Sequence, residues 1–211
     1  MQPSSDAKPE IERNQLLQVR AGLRLLATGG LLILISAGLG LAFRYVQVAN
    51  YMIMGWAPLI LRMIAEYFVV SGLLQVADAP ERWNIRELAI FGGLGTLLRP
   101  LLWMANMLIP MLHMDWGIPM PMSLLIVLAD AAAFATVVYL LDRIETETGG
   151  QPRQPLAMAA FGCAGLSALV GLVELLGIVS LPLPLGAVAT CALGAVLWVW
   201  VKQLSARLAT R

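Results

Sequence analysis

Six long stretches of this chain carry almost no charge, and they constrain its fold more than any other feature: residues 25–45, 51–76, 88–112, 118–141, 156–179 and 183–201. At 1.5 Å of rise per residue, about 20 apolar residues take a helix across a hydrocarbon core about 30 Å thick. Each stretch is of about that length. Inside lipid the backbone has no water to bond with, so spanning segments must be helices or closed barrels, and long apolar runs without two-residue alternation predict helices. The expected fold is all-α: a polytopic integral membrane protein with a bundle of six transmembrane helices over residues 25–201. A lead-in over residues 1–24 and a short tail over 202–211 complete the chain. Composition agrees, with 59% apolar and 13% charged residues and a mean hydropathy of +0.79, against roughly a quarter charged in soluble domains.

Punctuation between the stretches fits helix ends. Pro119 and Pro121, Pro152 and Pro155, and Pro182 and Pro184 stand at the starts of the last three spans, where a missing N–H costs little. "ADAPERWNIRE" and "ETETGGQPRQP" read as polar loops. Lysine and arginine outside the spans then fall in alternate segments. Lys8, Arg13, Arg20 and Arg24 precede the first span, Arg82 and Arg86 follow the second, Arg143 and Arg153 follow the fourth, and Lys202, Arg207 and Arg211 follow the sixth; Arg44 alone faces the other side. By the positive-inside rule both termini and both polar loops are cytoplasmic, in a multi-pass protein of the cell (inner or plasma) membrane. The segment before the first span is too long and too acidic for a simple signal peptide. It reads as a partly amphipathic lead-in over residues 9–24, with basic residues near the headgroups. Trp198 and Trp200 beside Lys202 read as an interfacial anchor. Small residues recur every fourth position at Gly186, Thr190 and Gly194 and at Ala160, Ala164 and Ala168, which predicts close helix packing.

With 14 Lys plus Arg against 13 Asp plus Glu, the net charge of +1 supplies no field for nucleic acid. Cys163 and Cys191 lie alone in apolar segments and suggest neither a disulfide nor a zinc site. Charge matters here by position. Five ionisable residues fall inside the spans: Arg62, Glu66, Arg99, Asp130 and Glu174. Counted from the span starts, Arg62, Arg99 and Asp130 all come out roughly 16 Å deep, close to the middle of the core. Isolated, each would cost at least ~2.5 to 3.5 kcal/mol, so they are expected to face the bundle interior and one another. "RMIAE" sets Arg62 and Glu66 four apart on one helix face, and Arg99 is the expected partner of Asp130. Glu174 counts out nearer the far interface. Pro100 removes one backbone bond directly after Arg99, and a helix break beside a buried cation suits an anion or lipid headgroup. The same charges serve equally as ion pairs that fix the register of the helices.

A second cluster sits in "LLWMANMLIPMLHMDW". Met104, Met107, Met111 and Met114 share one helix face, with His113 close by, and soft thioethers with an imidazole suit Cu(I). Methionine also fills irregular space between helices, and no second histidine or cysteine joins the group. The candidate metal ligands are Met107, Met111, His113 and Met114. No HExxH, GxSxG or P-loop pattern is present, and "GGLG" lies inside a span, so the residues favour no enzyme and require no cofactor; a bound lipid is compatible. The leading expectation is transport-like or ligand- and lipid-binding function at the midplane charges. A non-catalytic accessory or scaffolding subunit of a larger membrane complex is the alternative, and copper or other metal handling the second. Membrane lipids are the expected partners, with other membrane subunits or further copies of this chain, and no nucleic acid.

Overall fold

A computed structural model describes residues 7–45, 51–111, 119–149, 154–175 and 185–209. The described residues form six α-helices: α1 (Ala7–Tyr45), α2 (Tyr51–Val76), α3 (Arg86–Met111), α4 (Pro119–Glu147), α5 (Gln154–Leu175) and α6 (Leu185–Ala209). A single 3-10 turn, Glu81–Trp83, joins α2 to α3, and no strand occurs among the described residues. Among the described residues four helical segments are long and apolar enough to cross a membrane: Glu10–Phe43, Trp56–Val76, Leu124–Glu147 and Leu185–Ala209. Within α5 a shorter apolar stretch runs Leu156–Val170.

Packing follows chain order and closes on itself. Each helix packs against the next, from α1 to α6, and α1 packs against α6 to complete a ring. Neighbours run antiparallel, as the glycine contacts show: Gly22 meets Gly72 and Gly29 meets Ala65 and Val69 between α1 and α2, while Gly30 meets Gly194 and Trp198 between α1 and α6. These are close backbone approaches. A Cβ added to Gly194 would lie 2.9 Å from the Leu34 amide nitrogen, so the seam that closes the ring depends on that residue having no side chain. The small-residue line on α6 divides between two partners. Gly194 faces α1, whereas Gly186 meets Val170 and Thr190 meets Ser167, both on α5. Since the single Thr190 hydroxyl hydrogen goes to the Gly186 carbonyl, Ser167 is the donor in its 3.2 Å contact with Thr190.

The buried residues are mostly apolar, yet many large apolar side chains are also exposed. Phe91, Leu94, Leu101, Leu128, Met158 and Leu169 are exposed on the outside of the ring, whereas Glu66 and Glu145 are buried within it. A contiguous exposed apolar surface is the normal condition of a protein in lipid and a rare one in water.

Three expectations change. The lead-in is not a separate surface element: from Ala7 it belongs to α1, a helix of about 58 Å, and its Val19 and Leu23 are fully buried. The physical reason is the Gly22–Gly72 contact, which brings this part of α1 directly onto α2. Trp200 is not an interfacial anchor. Two positions apart on a helix, Trp198 and Trp200 point to nearly opposite sides, so Lys202 stacks over the Trp198 ring at 5.0 Å while Trp200 is 1% exposed in the core. Finally, Pro100 ends nothing: α3 stays helical from Arg86 to Met111, since losing one backbone bond does not terminate a helix supported by neighbours.

At one end of the ring lie the start of α1, the ends of α2, α4 and α6, and the starts of α3 and α5. At this basic end part of the expected polar loop packs onto the helices, α4 among them, with Trp83 and Ile85 buried. Asn84 takes a left-handed conformation (φ 49°), tolerable for asparagine, and its N–H caps the 3-10 turn on the Glu81 carbonyl. Arg82 pairs with Glu12 of α1 across this surface.

Candidate functional site

Three of the five predicted charges meet inside the ring. Arg62 on α2 donates from Nε to Glu66 Oε1 at 3.0 Å, the pair expected from their four-residue spacing. Its Nη2 lies 4.0 Å from Asp130 Oδ1 on α4. The guanidinium Cζ also stands 5.5 Å from the centroid of the Phe134 ring, one turn along α4 from Asp130, within cation–π range. Arg62 is thereby held on three sides: one edge on a carboxylate, its face toward an aromatic ring, and its far end toward a second carboxylate. The Arg62 and Glu66 side chains are 13% and 8% exposed, so this pair is largely withdrawn from the surface.

These groups line a small cavity that is partly open, the Asp130 side chain being 30% exposed. Thr96 of α3 adds the remaining polar side chain, and its hydroxyl donates to the Gly92 carbonyl at 2.8 Å, leaving its oxygen lone pairs to accept. Leu26, Gly30 and Ile33 of α1 and Val69 of α2 form apolar walls. Toward the basic end the cavity is lined by Val137 of α4 with Leu197 and Val201 of α6. The cavity volume is about 30 Å³. One water needs roughly 10–15 Å³ by this measure, whereas sites for organic ligands run to about 300–1,000 Å³. The space therefore suits about two waters beside two carboxylates and a guanidinium. The 4.0 Å gap between Arg62 and Asp130 is of the size that a water bridges.

The other predicted site residues are distributed differently. The Arg99 side chain lies outside the described residues, and with it the expected Arg99–Asp130 pair. Glu174 stands near the C-terminal end of α5, away from the basic end, with its side chain likewise outside the description. Pro100 sits within continuous helix. Of the candidate metal ligands, Met107 and Met111 belong to α3 with undescribed side chains, and His113 and Met114 lie outside the described residues. Among the described residues no group of three His, Cys, Asp or Glu could hold a metal, and Cys163 and Cys191 are free thiols.

A second charged cluster lies at the basic end, where sequence reasoning placed only a loop. Glu145 of α4 is 2% exposed. Its Oε2 accepts from Trp200 Nε1 at 2.7 Å and its Oε1 from Arg207 Nη1 at 2.7 Å, both from α6. A signal for it existed. Val138, Leu141, Glu145 and Thr148 are spaced three, four and three, a single buried helix face into which a carboxylate intrudes. Leu193, Leu197, Trp200 and Leu204 repeat the pattern on α6.

Comparison with known proteins adds no assignment. No protein family, no curated protein and no solved structure matches this chain.

Proposed function

We propose that this chain is a six-span membrane protein, with both termini cytoplasmic, that passes protons through the interior of its helix ring. One observation carries the reading: Arg62 stands between Glu66 and Asp130 on a cavity with room for about two waters. Charges at this depth are costly, and in membrane proteins they mark ion and proton paths by default. Purely structural pairing needs no cavity beside it. The cavity volume speaks against a lipid headgroup or organic solute at this position and for a proton carried on water and carboxylate. Glu66 and Asp130 are the groups that take up and release the proton; Arg62 positions both and Phe134 holds Arg62 in place.

The test is reconstitution of the whole chain in liposomes loaded with a pH-sensitive dye, with a potassium diffusion potential as the driving force. Dye response should exceed that of protein-free vesicles, fail in Glu66→Gln, and be indifferent to replacing external sodium by choline. Equal responses from the parent protein and from Glu66→Gln would refute the proposal.

A further inference from the structure

In the ring α5 stands between α4 and α6, so these two helices are not neighbours and meet over only a short stretch. Glu145 spans that separation at the basic end, with both carboxylate oxygens engaged by α6. The axial order is informative. Asp130 and Phe134 line the charged cavity, as does Val137 one turn further on, and Glu145 lies two turns beyond Val137, about 12 Å along the helix. On α6 the same direction runs through Leu197 and Val201, which line the cavity, to Arg207, about 9 Å past Val201. Along α4 and α6, a path from the cavity to the basic end passes first between Val137 and the Leu197–Val201 pair, and then between Glu145 and its α6 partners.

The chemistry of this clamp differs from that of the other helix contacts. Much of the ring is held by glycine approaches and apolar packing, with polar contacts between helices such as Ser36 to the Pro58 carbonyl and Ser167 to Thr190. A buried ion pair adds little stability, because well-packed apolar residues of similar volume stabilise as well or better; its best-attested uses are to fix register and to switch. What a carboxylate provides is a contact with two discrete states, bonded or released. Arg207 is placed to make the switch: its side chain is 41% exposed, against 2% for Glu145, so the guanidinium can leave for water while the carboxylate cannot.

We infer that the Glu145–Trp200–Arg207 cluster is the gate between the charged cavity and the basic end, closed in this structure and opened when α4 and α6 part. Glu145 is the positioning residue, Trp200 the plug and Arg207 the solvent-side latch. The inference rests on the cavity being a transport site, but its test does not require transport. In the full chain with Cys163→Ala and Cys191→Ala, a single cysteine is introduced as Val137→Cys, and its reaction with a membrane-impermeant maleimide is timed in lipid nanodiscs. Closed, the position is sealed from reagent. Releasing the latch with Arg207→Ala should raise the labelling rate about tenfold or more, the scale of a shifted two-state equilibrium, and Arg207→Lys should bring it back toward the parent rate. Trp200→Phe, which loses only the indole N–H and some volume, should give an intermediate rise if Glu145→Ala fails to fold. Labelling of Arg207→Ala at the parent rate, or a rise matched by a control cysteine at the exposed lipid face (Leu128→Cys), would overturn the gate. Raised labelling without any proton flux would keep the gate and refute the transported species.

Discussion

Substitution of Gly194 by alanine tests the closure that makes an interior possible at all. The new Cβ would stand 2.9 Å from the Leu34 nitrogen and 3.0 Å from the Gly30 carbonyl oxygen, both backbone atoms of α1 that cannot turn aside. Restoring an ordinary contact of 3.4 Å or more requires α1 and α6 to part by about 0.5 Å, and a gap of that size forfeits about a quarter of the van der Waals well for each contact it touches. Overpacking of this kind costs about 1–3 kcal/mol. Alanine also returns up to about 1 kcal/mol of helix propensity, so the informative quantity is a difference between two glycine substitutions. At Gly38, also on α1, an added Cβ meets nothing within 4 Å, and Gly38→Ala reports propensity alone. Unfolding by sodium dodecyl sulfate in mixed micelles, followed by tryptophan fluorescence, should find Gly194→Ala less stable than Gly38→Ala by about 1–3 kcal/mol. Equal stabilities would mean that α1 and α6 do not approach this closely, and the cavity would lose its wall.

Arg62→Gln leaves Glu66 and Asp130 without the cation between them and should cost about 3–5 kcal/mol in the same titration; Arg62→Lys should recover only part, because lysine lacks the planar fork and the stacking on Phe134. Trp200→Phe removes one hydrogen bond to a buried carboxylate and should cost about 1.5–3 kcal/mol, measured against the near-neutral Trp198→Phe. Native mass spectrometry of gently extracted protein should find this chain alone or with copies of itself and lipid, whereas a stoichiometric foreign subunit or bound copper would favour the accessory or the metal-handling alternative.

Much of this arrangement was legible in the sequence, for physical reasons that also explain the gaps. The apolar runs dictate helices because nothing else satisfies a backbone in lipid, and the four-residue spacing of Arg62 and Glu66 dictates their pair. Matching the depths of Arg62 and Asp130 placed them at one level, but depth carries no azimuth: which side chains face one another depends on helix rotation, fixed by contacts such as Gly92 on Thr136 and Gly95 on Ala133 between α3 and α4. Glu145 and Trp200 were misread because each fitted a simpler rule, one as a loop acid and the other as a belt tryptophan. Both rules use position along the chain. The spacing of their apolar neighbours, which marks both as buried, uses position around the helix and was the stronger signal. Ring closure by α1 and α6 joins residues far apart in sequence, and only the glycines at positions 30 and 194 hinted at it.

The central claim is that the cavity carboxylates exchange a proton across the membrane. A pH-jump current on a solid-supported membrane, comparing the parent protein with Asp130→Asn, addresses it most directly. The account predicts a transient current from the parent that is absent from Asp130→Asn, with the variant unfolding at the parental detergent concentration. A parent current no larger than that of protein-free membranes, or an undiminished current in Asp130→Asn, would contradict it.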